Sequence, residues 1–444
     1  MANQHTKPAP PSAFDSHHPP ALEVMEKCVH CGFCLATCPT YVLWGQEMDS
    51  PRGRIYLMKM ASEGMAEMTD QWVGHFDSCL GCVACMPACP SGVDYGRLIE
   101  ATRAQIARHY RRSAAEWLHR KLLFETFTRP ERLKLLRWPL LLYQKTGLQS
   151  LFRDAGLAKI LPKSLGAMDA LLPTVNSTEA VSTVTPAIGE KRRRVGLLLG
   201  CVQRVFLSQI NAATARVLAA EGCEVVAPQE QSCCGALFVH AGEEEEAQRL
   251  ARRTIDAFEQ AKVDTIITNA AGCGSSVKEY GRLLRDDPAY APRASAFAAK
   301  CKDISEFLCG LSPRAERNPL RARVALHDSC HLQHAQGVRN QPRSLLKQIP
   351  GLEILEIAES AVCCGSAGIY NLVQPDAASA LGDRKAQLIA PLQPSAVVTG
   401  NPGCILQLQA SLARNNHPAP VLHTIQLLDA SIRGEELHSL LSRQ

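Results

Sequence analysis

The placement of cysteine constrains this chain more than any other feature. Nineteen cysteines occur in 444 residues, and eight of them form a duplicated run, Cys28-x2-Cys31-x2-Cys34-x3-Cys38-Pro39 and Cys79-x2-Cys82-x2-Cys85-x3-Cys89-Pro90. Three thiolates spaced by two residues wrap one face of a small iron–sulfur cube, because a tight turn aims them at neighbouring irons. The fourth, directed away before a proline, completes the other cube. On that rule Cys28, Cys31, Cys34 and Cys89 hold one [4Fe–4S] cluster, while Cys79, Cys82, Cys85 and Cys38 hold a second. Zinc also takes four thiolates, but its sites usually come as two CxxC pairs. The 40 residues between Cys38 and Cys79 exceed a minimal hairpin, and 54–68, rich in Met, Ala, Lys and Glu, predicts a helix. Arg52 and Arg54 are either surface residues or a positive charge that favours a reduced cluster.

Eight more cysteines form a longer repeat. Cys201, Cys233-Cys234-Gly235 and Cys273 recur as Cys330, Cys363-Cys364-Gly365 and Cys404, at offsets of 129, 130, 130 and 131 residues. Their surroundings recur as well. An apolar strand leads into the first cysteine (195–201; 324–330), a helical stretch and a short strand follow (224–227; 352–357), and a further strand ends near the last cysteine (264–268; 395–399). Strands alternating with helices predict parallel α/β units. The single and final cysteines then lie past the carboxyl ends of strands, where open α/β sheets place their ligand crevice. Gly235 and Gly365 let adjacent thiols turn towards one site. Four converging thiols per repeat imply either a metal centre or a redox disulfide. Cys223, Cys301 and Cys309 lie outside both patterns and are expected in the core.

Composition bounds the remaining choices. Hydrophobic residues are 46% and charged residues 20%, which excludes wholesale disorder. No apolar run reaches 18 residues, so no membrane span is expected. The first twenty residues lack the layout of a secretory signal and read as a disordered Pro- and His-rich arm, so a cytoplasmic location is expected. In that compartment thiols bind metal or do redox work rather than form a disulfide scaffold. The net charge of +5 is too small to imply nucleic acid. Residues 97–163 nevertheless carry fifteen Lys/Arg against five Asp/Glu, interleaved with aromatics on helical stretches such as Ala114–Phe127. Such helices lie on an anionic membrane surface, cover a partner, or pack as ordinary structure. The stretch 173–186 reads as a flexible connector, and Lys191–Arg194 as the solvated start of a strand. His327, His331 and His334 flank Cys330 in the second repeat only, and each is open to a ligand, proton-transfer or structural role, His334 foremost as ligand or proton carrier.

The expected fold is α+β and multidomain: an arm (1–20), a helix-rich two-cluster ferredoxin domain (21–110), a basic helical segment and linker (111–190), and two repeated α/β cysteine-rich domains (191–318 and 319–435). At this point the chain resembles the iron–sulfur subunits of glycolate oxidase (glycolate dehydrogenase), and more widely those of heterodisulfide reductase and anaerobic glycerol-3-phosphate dehydrogenase. The strings that carry the closer likeness include Cys28-Val-His-Cys-Gly-Phe-Cys34, Pro51-Arg-Gly-Arg-Ile-Tyr56, Asn211-Ala-Ala-Thr-Ala-Arg-Val-Leu218 and Cys363-Cys-Gly-Ser-Ala-Gly368, and the likeness covers about 20–430. It implies an electron-carrying subunit, with FAD on a separate subunit that oxidises glycolate to glyoxylate. Electrons would pass on to a membrane acceptor such as quinone, with this chain peripheral on the inner face of the cytoplasmic membrane. A glycerol-3-phosphate or lactate complex, or a heterodisulfide-reductase-like role, is the alternative. No dinucleotide-binding GxGxxG follows a strand here, in keeping with flavin on a partner. In the heterodisulfide reductase relatives each cysteine-rich repeat ends in CxxC; here the ends are Cys273-Gly-Ser-Ser276 and Cys404-Ile-Leu-Gln407. The fifth thiolate is missing from both, so Cys201, Cys233, Cys234 and Cys273, and likewise Cys330, Cys363, Cys364 and Cys404, are open to a [4Fe–4S] cluster, to zinc or to no metal.

Overall fold

The structure is a computed structural model and describes residues 12–154, 162–175 and 178–442. A helix-rich N-terminal region is followed by two repeated α/β units. The arm expected to be disordered over 1–20 is anchored where it is described. Phe14 is buried against Trp72, and Asp15 accepts hydrogen bonds from Arg108 and from the Gln105 side chain. Residues 1–11 lie outside the described residues. An apolar ring at position 14 has no reason to stay in water beside an open core, which corrects the reading from Pro and His content.

The insert between the two cysteine runs is helical, but from Pro51 to Ser62 rather than 54–68. Ser50 caps it by accepting from the Gly53 amide, and Pro51 occupies the first turn where its missing N–H costs nothing. A second helix, Asp70–Asp77, is capped by Thr69, and a third, Tyr95–His109, by Asp94. Ile55, Met58, Val73, Phe76, Leu98 and Ile99 bring these helices together over one core.

Each α/β unit is built on a parallel sheet. The first comprises β1 (Val184–Thr185), β2 (Arg193–Leu198), β3 (Cys223–Val226), β4 (Thr265–Thr268) and β5 (Cys301–Asp303), in the order β1-β3-β2-β4-β5. The second comprises β6 (Ala322–His327), β7 (Leu352–Glu356), β8 (Ala396–Thr399) and β9 (Val421–His423), in the order β7-β6-β8-β9. Strand for strand the two orders coincide. Val195 sits beside Val225 and Thr265, and its counterpart Val324 beside Ile354 and Ala396. Only β1 is antiparallel; it lies within the stretch expected to be a flexible connector and adds an edge to the first sheet. Two residues of pairing carry almost no hydrophobic pattern, so composition conceals them.

The two units share one core, in which Val195, Leu197 and Val225 are continuous with Val324, Leu326 and Val397. Small residues on the helix Ser208–Ala220 let it pack closely on Thr424–Arg433, and Arg216 grips Asp429 across the contact with both carboxylate oxygens. The N-terminal region docks through Gly242, the left-handed end (φ +84°) of the helix Ala236–Ala241. A Cβ there would stand 2.2 Å from the Arg103 carbonyl oxygen. Gly242→Ala is therefore expected to destabilise by about 2 kcal/mol or more and to lower the Tm by several degrees. Gly45→Ala, with φ +63° and open space around it, should lose only about half as much by the same calorimetric measurement.

Candidate iron–sulfur centres

The two cysteine runs adopt the same strained loop. Left-handed backbone falls at His30 (φ 54°) and Gly32 (φ 86°) in the first run, and at the matching Gly81 (φ 63°) and Val83 (φ 51°) in the second. Glycine relieves one position in each, whereas Val83 is β-branched and strained in this conformation. Such strain persists only where surrounding structure imposes it, and it accumulates at functional sites.

The thiols of the two runs lie close together, and each run has neighbours in the other. Cys28 has Cys89 and Cys31 as its thiol neighbours, and Cys28, Cys31, Cys34, Cys85 and Cys89 line one small cavity. Cys85 stands among Cys82, Cys79 and Cys38, with Cys34 beyond. Burial pushes Cys34 up to about 11 and raises Cys82 and Cys85 well above the ordinary thiol value. Burial acts on Cys79 too, but Arg54 and Arg103 outweigh it and lower its pKa. Buried thiols of this kind ionise when a cation offsets the electrostatic cost, so an all-sulfur donor set kept from water suits a positively charged metal core. No group of three or more His, Cys, Asp or Glu among the described residues is arranged to hold a single metal ion. A four-iron cube holds its sulfur ligands further apart than one tetrahedral ion does.

Arg54, one reading of which placed it at the surface, is buried at 1% exposure. Its guanidinium donates to Thr40 Oγ1 (3.1 Å), Ser78 Oγ (2.9 Å), the His75 carbonyl (2.6 Å) and Asp49 Oδ1 (3.3 Å), beside Cys38 and Cys79. Arg52 stays nearer solvent, pairs with Glu47 and donates to the His30 carbonyl of the first loop.

In the first α/β unit, Cys201 follows β2 at the start of the helix Val202–Phe206, and Cys273 lies in the helix Ala271–Lys278 after β4. Gly235 (φ +80°) turns Cys233 and Cys234 towards them. Cys233 Sγ lies 3.5 Å from Cys201 Sγ, and Cys234 lies against Cys233 and Cys273. The second unit repeats this. Cys330 Sγ is 3.8 Å from Cys363 Sγ, and Cys364 contacts Cys363 and Cys404, with Gly365 at φ +93°. Tyr280 donates to the Cys234 carbonyl (2.8 Å), and Asn401 Nδ2 lies 3.4 Å from Cys404 Sγ. Both are polar partners that the cysteine spacing does not signal.

Cys82 and Leu80 of the N-terminal region share an apolar cluster with Cys330, Cys363 and Tyr370, so the second thiol group and the second α/β unit meet directly. Segments past the carboxyl ends of both sheets, 200–203 and 270–273 with 329–331 and 401–403, surround a cavity of about 690 Å³. The helices Pro130–Lys145 and Lys163–Ala170 cover it. Cys201, Cys233, Cys234, Cys273 and Cys330 reach its wall.

The remaining cysteines divide. Cys223 and Cys301 are core residues, as expected. Cys309 is not: it ends the helix Ile304–Cys309 at the surface before Gly310, and its thiol reaches only the Gln341 carbonyl. Among the histidines, His334 is engaged by the Ala361 carbonyl (3.0 Å) and fastens a loop, while His327 pairs with Thr399 (3.1 Å) across the ends of β6 and β8. His331 alone of the three faces the cavity, edge-on to His240 at 4.9 Å, a partner from the other unit that sequence reading missed.

Comparison with known proteins agrees with this geometry. Residues 27–93 match the 4Fe-4S dicluster domain, 195–278 and 324–409 the cysteine-rich domain, and 115–172 the glycolate oxidase iron-sulfur subunit linker region. The chain is 40% identical over 90% of its length to the probable glycolate oxidase iron-sulfur subunit of Bacillus subtilis (strain 168), covering 92% of that protein. The chain belongs to the glycolate oxidase iron–sulfur subunit family. It is also 36% identical over 94% of its length to the glycolate oxidase iron-sulfur subunit of Escherichia coli (strain K12), covering 96% of it. Over 53% of its length it is 36% identical to a fumarate reductase (CoM/CoB) subunit of Methanothermobacter marburgensis, covering 46% of that protein. It is thus an iron–sulfur protein of an oxidoreductase complex.

Replacing Arg54 tests the charge beside Cys38 and Cys79. Arg54→Met removes the buried guanidinium that joins Thr40, Ser78, the His75 carbonyl and Asp49, leaving the Asp49 carboxylate to Ser78 Oγ and His75 Nδ1, and is expected to cost about 3 kcal/mol in anaerobic denaturant titrations, with Arg52→Met near neutral.

Proposed function

We propose that this chain carries electrons within a glycolate-oxidising complex. A flavin-bearing partner takes the hydride from glycolate, giving glyoxylate, and the electrons leave through this chain to a membrane acceptor such as quinone. Cys28, Cys31, Cys34 and Cys89 hold one [4Fe–4S] cluster, and Cys79, Cys82, Cys85 and Cys38 another. Cys201, Cys233, Cys234 and Cys273, and Cys330, Cys363, Cys364 and Cys404, hold a further metal centre each. Iron–sulfur clusters supply one-electron steps, which split the pair that a flavin collects. The work of this chain is to fix distances and set charge. Arg54 and Arg103 place fixed positive charge at Cys79, and buried apolar residues around Cys82 keep water from the second site.

The observation that carries this reading is the shared cluster of Cys82 with Cys330 and Cys363. It makes the second α/β unit the continuation of the N-terminal pair. The domain division at 110, 190 and 318 follows the same logic, each part holding or covering its own thiols. The linker helices present Trp117, Leu122, Leu135, Trp138 and Leu142 to solvent among Lys and Arg, which suits an anionic cytoplasmic leaflet. No described helix is long and apolar enough to cross a membrane, so contact would be peripheral.

The test is the complex purified anaerobically with its flavin subunit. Wild-type material should contain iron and acid-labile sulfide and show dithionite-reduced EPR signals. Cys363→Ser should lose roughly four irons and slow glycolate-to-quinone turnover by about tenfold or more, while glycolate still bleaches the flavin. Unchanged turnover would remove the second unit from the relay, and iron-free wild-type material would end the reading altogether.

A further inference from the structure

The two α/β units match strand for strand, but the groups behind their Cys-Cys-Gly turns differ in charge. Gly365 sits on Ala378 of the helix Pro375–Ile389, where a Cβ would stand 2.5 Å from the Ala378 carbonyl oxygen, and Gly235 sits in the same way on Ala247 of the helix Glu244–Ala261. The same distance further along each helix (378 to 385, 247 to 254), the second unit has Lys385 where the first has Thr254. We propose that the buried ammonium of Lys385 raises the reduction potential of the centre held by Cys330, Cys363, Cys364 and Cys404, acting by charge without ligating it. This rests on the relay reading and assigns one of its centres a residue that sets its potential.

Lysine is almost never fully buried without a charge partner. Lys385 is 2% exposed, and its Nζ donates to the Glu359 backbone carbonyl, a neutral acceptor. The carboxylates that act on it are engaged elsewhere. Arg384 takes both oxygens of Glu359 (2.7 and 2.6 Å), and Arg343 takes both of Asp328 (2.8 Å each). Burial lowers the Lys385 pKa, and Cys364 and Cys363 come first among the groups that hold it up. Ionised thiols around a metal core would supply the anionic partner that this ammonium otherwise lacks. In the first unit Thr254 is neutral and buried, and its Oγ1 meets Ser232 Oγ at 3.0 Å. The first unit has a cation of its own in Arg204, but that side chain acts on Cys201 with Glu131 opposing it, away from the Cys-Cys-Gly turn.

The sign follows from charge. A thiolate-held centre becomes more negative by one unit when it takes an electron, and a fixed positive charge nearby stabilises that form. The effect is larger in buried surroundings than in water, where the charge would be screened. Cys363 shares an apolar cluster with Cys82 of the N-terminal region, so the charge stands on the accepting side of that step. There the donor cluster is oxidised by one electron and the second unit's centre is reduced by one, with no proton required.

The measurement is an EPR-monitored redox titration of the anaerobic complex, in which the signal that Cys363→Ser removes identifies the second unit's centre. Lys385→Gln keeps a donor for the Glu359 carbonyl but carries no charge. With iron content unchanged, it should lower that midpoint so that the reduced-to-oxidised ratio at a fixed potential falls about tenfold, ~59 mV for one electron. Arg384→Gln removes an equal charge one residue away, where the side chain is 43% exposed, and should change the ratio by less than about twofold because water and salt screen it. A Lys385→Gln midpoint that stays at the wild-type value, or an equal fall in Arg384→Gln, would overturn the role. If Lys385→Gln loses iron, the neutral Lys385→Met is titrated in its place, and loss of iron from both makes the residue structural and ends the proposal. The two levels of failure separate. An unmoved midpoint on a signal that Cys363→Ser does remove discards Lys385 and keeps the relay, whereas a complex in which Cys363→Ser removes no signal has no redox centre in the second unit and loses both.

Discussion

Burying many thiols close to one another is the condition on which this architecture rests. Most of the cysteines in the two patterns are withdrawn from water; burial raises Cys34, Cys82 and Cys85, and the neighbouring Cys330 thiol, with burial, raises Cys363. A protein gains little by hiding so many weakly polar groups in four places unless something cationic is to sit among them. The surrounding structure reflects that demand. Left-handed turns at His30, Gly81 and Val83 aim the thiols of the N-terminal loops, and those at Gly235 and Gly365 aim the thiols of the α/β units. Arg54 and Arg103 bring compensating charge to Cys79, and Arg54 stands beside Cys38 as well.

Duplication operates at two scales, and the two serve different ends. The short run brings the thiols of two neighbouring loops together, so that the neighbours of one run include cysteines of the other. The long repeat gives two sheets with the same strand order, and their carboxyl edges open on a common space. Pseudo-symmetry is broken where function requires it. Cys330 has His331 beside it where the first unit has Val202, and Cys330 and Cys363 of the second unit share a cluster with Leu80 and Cys82 of the N-terminal region. The first unit contributes His240, which packs against His331 and stands close to Gly81. The linker helices close the common space instead of merely joining domains.

Much of this is legible in the order of residues. Fixed spacing of cysteine, glycine and proline encodes local turn geometry, so both short runs, both Cys-Cys-Gly turns and the helix Ala114–Phe127 can be read directly. Element ends are less so: the insert helix begins at Pro51 because Ser50 caps it, a signal outweighed by the composition of 54–68. The edge strand β1 and the anchoring of Phe14 depend on partners distant in sequence, namely Val225 and Val226 for one and Trp72 for the other.

Which residues carry the chemistry follows from the linear order of the chain, because metal-ligand spacing is a property of consecutive backbone. What those groups meet was set only by packing in three dimensions. That Arg54 is sealed beside Cys38 and Cys79, that Cys82 abuts Cys363, that His334 fastens a loop while His331 faces a cavity, and that Cys309 lies at the surface are all outcomes of how separate elements pack. The physical reason is that burial and electrostatic neighbourhood are sums over contacts from every element nearby, and one-dimensional spacing carries no record of those.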